Sequence, residues 1–377
     1  MAGIYIHIPF CKTKCFYCDF FKCTNNNLTQ NFLQALFLEI EQRATELNKQ
    51  LIKTIYIGGG TPSTLSVEQI NQIIYKIHEH FIVDIHAEIT MECNPDDLNR
   101  QYLDDLKKST INRLSIGIQS FKDCHLKHMN RRHCALQAIN AVRLAQEVGF
   151  NNINIDLIYG LPHLTIETWK QSIAQAIDLN VAHISAYHLT YHEGTVMYKL
   201  LKEGKIVEIP DEESFEQFKL LRKMLSNAGY EHYEISNFAK NKKYSQHNRA
   251  YWQQQPYLGL GPSAHSYDIE TRRWNISSVE DYISAIQNNL NYFEIETLSI
   301  QDKYNDYIIT TLRTQWGISE QFLLENFPAK FTHHFLNRVN EYLKIGQIIF
   351  HNSHYSLSTT GLFVSDAIME DLCFFEE

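Results

Sequence analysis

Cys11, Cys15 and Cys18 fall in the stretch YIHIPFCKTKCFYCDF, a C-x3-C-x2-C spacing at the tip of an expected first strand. Thiolates are the ligands of iron–sulfur clusters; three of them can hold three irons of a [4Fe–4S] cluster and leave the fourth iron open to a small chelating molecule. Two other readings stand beside this one. A closed structural zinc site asks for four nitrogen or sulfur ligands, and His7 or Cys23 could supply one. A disulfide pair belongs to secreted chains. The apolar start MAGIYIHIPF has no basic n-region and no cleavage site, so it reads as a strand and not as a leader.

The elements that must position these cysteines alternate along the chain. IYIHI precedes a helical stretch from Leu28 to Asn48, KTIYIGGG one from Ser66 to His80, and HAEITMECNP one from Leu98 to Lys108. The strands INRLSIGIQS, NINIDLIYG and VAHISAYHL follow, with LQAINAVRLAQEVG and IETWKQSIAQAI as helices between them. Six β/α units in series predict an α/β fold, a parallel sheet curved into a partial (β/α)6 barrel. Functional residues then belong at the carboxyl ends of the strands. GGGTPS, Gly58 to Ser63, follows the second strand, where missing side chains let a ligand reach the backbone. Glu92 ends the third strand, Gln119 the fourth, and Asp156 lies late in the fifth. Singly, the glycine run reads equally as a tight turn and Asp156 as a capping or loop residue; repetition at equivalent positions carries the reading.

Through its cysteine motif, GGGTPS, ECNP, GIQSF, NIDLIYGLP and YEISNFAK, the chain resembles the radical-SAM family of oxygen-independent coproporphyrinogen III oxidase-like proteins, most closely its HemW branch, over nearly the whole length. The resemblance implies that Cys11, Cys15 and Cys18 ligate the cluster and that Tyr5 and Tyr17 line it. It implies that Gly59, Gly60 and Thr61 meet the methionyl part of S-adenosylmethionine. Glu92, Gln119, Arg131 and Asp156 would complete that pocket, with Arg132 adjacent and either arginine able to stand as a surface charge. Two departures separate the chain from the oxidases of the family. Phe20 stands where those resemble C-x3-C-x2-C-x-C, and ten residues precede Cys11 where they carry a longer segment.

HNRAYW, His247 to Trp252, carries an imidazole that can ligate heme iron and aromatic rings that can cover a porphyrin face. As a bare pattern it equally suits a packed loop, with Trp252 in the core and His247 capping a backbone carbonyl. It matches the HNxxYW signature of the HemW branch, which implies heme binding through His247, Asn248, Tyr251 and Trp252, with His247 as the iron ligand.

Other features set bounds. A formal net charge of -9 argues against nucleic acid or anionic membrane as general partners. No apolar run approaches the roughly 20 residues that span a bilayer, so a soluble cytoplasmic chain is expected. His7 reads equally as a core histidine and a functional one. His125, His128 and His133 read as a solvated face. GLGPSAHSY, Gly259 to Tyr267, reads as a turn shaping the barrel mouth, with Ser263 near the cofactor. A linker is expected from Thr190 to Pro210, then helical EESFEQFKLLRKMLSNAG and strand-like HYEIS. Helices and a strand pair from Leu298 onward suggest a winged-helix-like α+β module of the HemN type. Residues 300–377 hold five Lys or Arg against ten Asp or Glu, the wrong sign for a DNA reader. The resulting division is 1–210, a barrel with cluster and cofactor site; 211–297, an extension with the heme-binding region; and 298–377, the C-terminal module as lid or partner surface.

Two functions fit these features. One is a heme chaperone that delivers heme to an acceptor such as a respiratory cytochrome, with room for a homodimer and at most transient membrane association. The other is an oxygen-independent coproporphyrinogen III oxidase, a radical-SAM decarboxylase.

Overall fold

The computed structural model describes residues 2–376. Strands β1 (Ala2–Ile8), β2 (Ile52–Gly59), β3 (Val83–Cys93), β4 (Arg113–Gln119), β5 (Ile153–Tyr159) and β6 (His183–His188) pair in parallel in chain order. All but one residue in each of β1 and β5 is buried, as expected where both faces of a parallel sheet are covered. The helices Thr29–Gln42, Val67–His80, Arg100–Leu106, Ala135–Val148 and Ile166–Asp178 make the connections. Helix Val67–His80 buries Val67, Ile70, Ile73, Ile74 and Ile77, a stripe with helical spacing. Its start is set by Ser66 and Gln69, each side chain accepting the other's backbone N–H, at 3.3 and 3.0 Å. Such a cap contributes about 1 kcal/mol.

The sheet runs further than the sequence suggests. Beyond β6, β7 (Glu231–Glu234) and β8 (Asn237–Ala239) add antiparallel strands. Beside β1, β9 (Tyr257–Leu260) pairs in parallel, and β10 (His265–Tyr267), β11 (Thr271–Asn275) and β12 (Phe293–Thr297) continue antiparallel. The stretch GLGPSAHSY therefore holds the end of β9, a turn over 261–264 in which Ala264 N–H donates to the Gly261 carbonyl at 3.2 Å, and β10. Gly259 is required there because a Cβ would stand 1.9 Å from the His265 carbonyl oxygen. The expected linker is likewise broken by a helix, Val196–Lys202, started by Thr195, whose hydroxyl accepts the Tyr198 N–H at 3.2 Å.

The C-terminal helices Ile300–Leu312, Glu320–Asn326 and Ala329–Lys344 and a three-stranded antiparallel sheet share a separate apolar core that includes Tyr304, Ile308, Phe331 and Phe335. Two short helices, Thr359–Phe363 and Ser365–Leu372, follow. Among the described residues no helix is long and apolar enough to cross a membrane.

Candidate cluster and cofactor site

At the end of β1 the chain turns through Pro9 and Phe10, which is buried edge-on against Phe32, into the cysteine loop. Backbone bonds fix that loop at its root and at its middle. Cys11 N–H donates to the Cys23 carbonyl at 2.9 Å and Cys23 N–H to that of Pro9 at 2.7 Å. Gly60 and Thr61 donate to the Ile8 and Phe10 carbonyls, both at 2.8 Å. This close approach needs Gly60, where a Cβ would meet both carbonyl oxygens at 2.8 Å. Farther along, Phe16 N–H donates to Met129 at 3.1 Å and Met197 N–H to Phe16 at 3.0 Å. The side chains of Cys11, Cys15 and Cys18, held by this frame, line one cavity of about 510 Å³.

All eight cysteines are free thiols, so no disulfide uses the motif. Neither alternative zinc ligand lines the cavity. His7 is buried, with Nδ1 3.1 Å from the Tyr5 hydroxyl and Nε2 3.1 Å from the Phe21 carbonyl, and burial lowers its pKa to about 4. The Cys23 sulfur accepts the Asn25 N–H at 3.3 Å. Among the described residues no group of three or more His, Cys, Asp or Glu is placed to hold a single metal ion. Burial pushes the Cys11 thiol up, and the Thr61 hydroxyl, 3.4 Å from its sulfur, opposes that.

Strand register assembles the rest of the wall. Glu92 is level with Ser115, Gly117 with Asp156, and Asp156 with Ser185. Glu92 accepts the Tyr56 hydroxyl at 2.8 Å and the Gly59 N–H at 3.1 Å. Burial raises its pKa to about 7 against the pull of Tyr56. Asp156 accepts from Asn154 at 2.8 Å and Ser115 at 3.3 Å, and burial raises it too. Gln119 sits at a register shift with φ of +67°, an unfavourable conformation for a residue with a side chain. Arg131 Nη2 donates to the Gly117 carbonyl at 2.6 Å and to Asn94; its Nη1 lies 3.5 Å from both the Cys15 sulfur and the Tyr17 oxygen. Its Nε is buried without a partner. Arg132 is occupied differently, by Asp96 at 2.8 Å and Asp97 at 3.3 Å.

Tyr17, Gly59, Gly60, Thr61, Glu92, Gln119, Arg131 and Asp156 thus share the cavity with the cysteines. Tyr5 does not reach it: its ring lies 6.2 Å from Tyr56 and 6.4 Å from His247, one layer beneath. Ser263 also lies outside the lining. The solvated-face reading of the histidines fails for two of them. His125 lies on the inward face of the helix Asp123–His128, 3.2 Å from the Ser120 hydroxyl, and His133 is buried 3.0 Å from the Ile118 carbonyl because that helix ends before it and the chain turns inward. Sequence reasoning missed Tyr56, Arg113 and Asn154, which also line the cavity. Tyr56 had a signal, since it lies two residues before Gly58 on the same strand face.

The donor set fits an iron–sulfur cluster and a zwitterionic cofactor: three thiols in one wall, carboxylates able to take an ammonium or hydroxyls, and the Arg131 guanidinium in the same lining as a positive charge for a carboxylate.

HNRAYW forms a helix, Gln246–Trp252, rather than a loop. Ser245 caps it, and Glu88 on β3 accepts the N–H of Gln246 at 2.9 Å and of His247 at 3.2 Å. His247 is 1% exposed. Its Nδ1 lies 2.8 Å from the Thr54 hydroxyl, its Nε2 2.8 Å from that of Tyr251, and its ring stacks on Tyr56 at 5.2 Å. Burial, then the nearby Arg113 charge, lowers its pKa to about 3. His247 is thus buried with both ring nitrogens bonded, and freeing it for a metal would strand two hydroxyls at about 1–3 kcal/mol each. Of the motif, Asn248 alone lines the cavity. Trp252 instead packs under the Arg313 guanidinium, 5.0 Å away.

Residues 5–176 match the family model described as the Radical SAM superfamily. The chain is 33% identical over 363 residues to the heme chaperone HemW of Bacillus subtilis, covering 96% of this chain and 95% of that protein. To the heme chaperone HemW of Lactococcus lactis it is 33% identical over 328 residues, 87% of this chain and 84% of that one. Coproporphyrinogen III oxidase (HemN) from Escherichia coli, a radical SAM enzyme, superposes with a TM-score of 0.88 at 22% identity, covering 100% of this chain and 90% of that one, a likeness of fold. Identity at this level over almost all of both sequences, on the radical SAM fold, establishes that the chain belongs to the HemW family.

Proposed function

We propose that this protein is a heme chaperone: it binds heme and passes it to an acceptor such as a respiratory cytochrome, and carries a [4Fe–4S] cluster and S-adenosylmethionine in its cavity. The observation that carries the reading is the 33% identity over 96% of the chain to a relative named a heme chaperone. Cys11, Cys15 and Cys18 would hold the cluster, with Tyr17 beside it. When bound, the cluster supplies an open iron and one-electron chemistry. Gly59, Gly60 and Thr61 offer backbone to the methionyl part of the cofactor, Glu92 and Asp156 accept its ammonium or hydroxyl donors, and Arg131 and Gln119 complete the pocket. The barrel of residues 1–210 would carry this site, residues 211–297 would extend it, and the acidic module of residues 298–377 would serve as lid or partner surface. A cytoplasmic setting, in which thiols stay reduced, suits the free cysteines.

The test is to reconstitute the cluster anaerobically and titrate hemin and coproporphyrinogen III in parallel. Saturable hemin binding with no decarboxylated product is expected. Turnover of the porphyrinogen with consumption of S-adenosylmethionine would overturn the reading in favour of an oxidase.

A further inference from the structure

His188 and His192 are the two histidines that line the cavity. They differ in what they leave open. His188 Nε2 is taken by the Ser214 hydroxyl at 2.9 Å. The His192 side chain is 48% exposed, with Nδ1 3.5 Å from a carboxylate oxygen of Asp19, and among the described residues its Nε2 has no partner. Two ordered elements set this pair face to face. The His192 carbonyl accepts the N–H and the hydroxyl of Thr195, at 3.1 and 2.7 Å, where the helix Val196–Lys202 begins. Met197 of that helix donates to Phe16, which ties it to the cysteine loop carrying Asp19. Phe20, next along, is 69% exposed and lines the same cavity.

An imidazole with Nδ1 toward a carboxylate and Nε2 outward is oriented for a metal. An exposed flat ring beside it suits a porphyrin face. Resting on the heme-chaperone reading, we propose that heme is held at the cavity mouth with His192 Nε2 as an axial ligand to its iron, Asp19 orienting the imidazole and Phe20 lying against the macrocycle. The buried, doubly bonded His247 then supports the floor beneath.

The test is hemin titration of the full chain, followed by binding affinity and by electron paramagnetic resonance of the ferric heme; the oxidised cluster is diamagnetic and does not interfere. The wild type is expected to give the high-spin ferric signal of a heme with a single imidazole ligand. His192→Ala should lose it, and His192→Cys should replace it with a thiolate-ligated one. Asp19→Asn should keep the imidazole signal and weaken binding about tenfold, as for other carboxylates behind a ligating histidine. An imidazole signal and affinity unchanged in His192→Ala, or lost in His247→Gln but not in His192→Ala, would overturn the assignment while leaving the chaperone reading intact. Absence of saturable hemin binding by the wild type would overturn both.

Discussion

The cysteine loop and the helix Gln246–Trp252 carry the two most distinctive motifs of the chain, and they stand in opposite physical states. At the mouth, free thiols face a cavity and burial raises Glu92 to about 7. At the floor, His247 has both nitrogens bonded and Glu88 closes the helix N-terminus. Groups that await a ligand are left unsatisfied in the folded chain, whereas a buried group already satisfied costs free energy to release. The mouth is built to bind and the floor to hold.

The largest expected effect breaks the mouth alone. Replacing Cys11, Cys15 and Cys18 together by Ala should reduce iron and sulfide after reconstitution to background, while unfolding in urea without cluster shifts by about 1 kcal/mol. Iron retained by that variant would remove the distinction. At the floor the pattern inverts. His247→Ala should leave the iron content unchanged and lower the unfolding free energy by about 3 kcal/mol, through the cavity it opens and the stranded Thr54 and Tyr251 hydroxyls. A loss under about 1 kcal/mol would mean that His247 is not the satisfied core residue described.

Glu92 sharpens the comparison through pH. Its folded pKa is raised to about 7 by burial, so the folded state holds the proton more tightly than the unfolded one. Its contribution is fully present below the ordinary carboxylate pKa and is lost as pH rises through 7. Glu92→Gln, neutral throughout, should therefore exceed the wild type in stability by about 3 kcal/mol near pH 8, the gap closing toward acid. Denaturation across that range reads it; a gap that widens toward acid would contradict the assigned shift. The smallest effect belongs to the rim: Phe20→Ala, at a side chain 69% exposed, should change stability by no more than about 0.5 kcal/mol.

Much of the mouth was legible because each of its residues carries a local signal. Gly58 to Ser63, Glu92 and Gln119 lie at the ends of strands whose alternation with helices is plain in the sequence, Asp156 lies within the fifth, and Gly59, Gly60, Thr61, Glu92, Gln119 and Asp156 line the one cavity. The floor was not legible. Glu88 meets His247 across 159 positions and Thr54 meets it across 193, contacts no local pattern encodes. The same holds for β9, four residues containing a glycine, which is a strand only because β1 lies beside it. Strand β12 alternates Phe293, Glu294, Ile295 and Glu296, but it is a short edge strand with four of its five residues exposed, so the pattern marks no buried face. His133 was misread because near-helical spacing continues past the point where the helix stops.

The most direct test of a mouth built to bind is electron paramagnetic resonance of the reconstituted, reduced protein with and without S-adenosylmethionine. Iron and sulfide in the ratio of a [4Fe–4S] cluster, with a signal that changes on adding the cofactor and no longer responds in Glu92→Gln, is the expected result. A cluster signal indifferent to S-adenosylmethionine in the wild type would contradict the open iron facing this cavity.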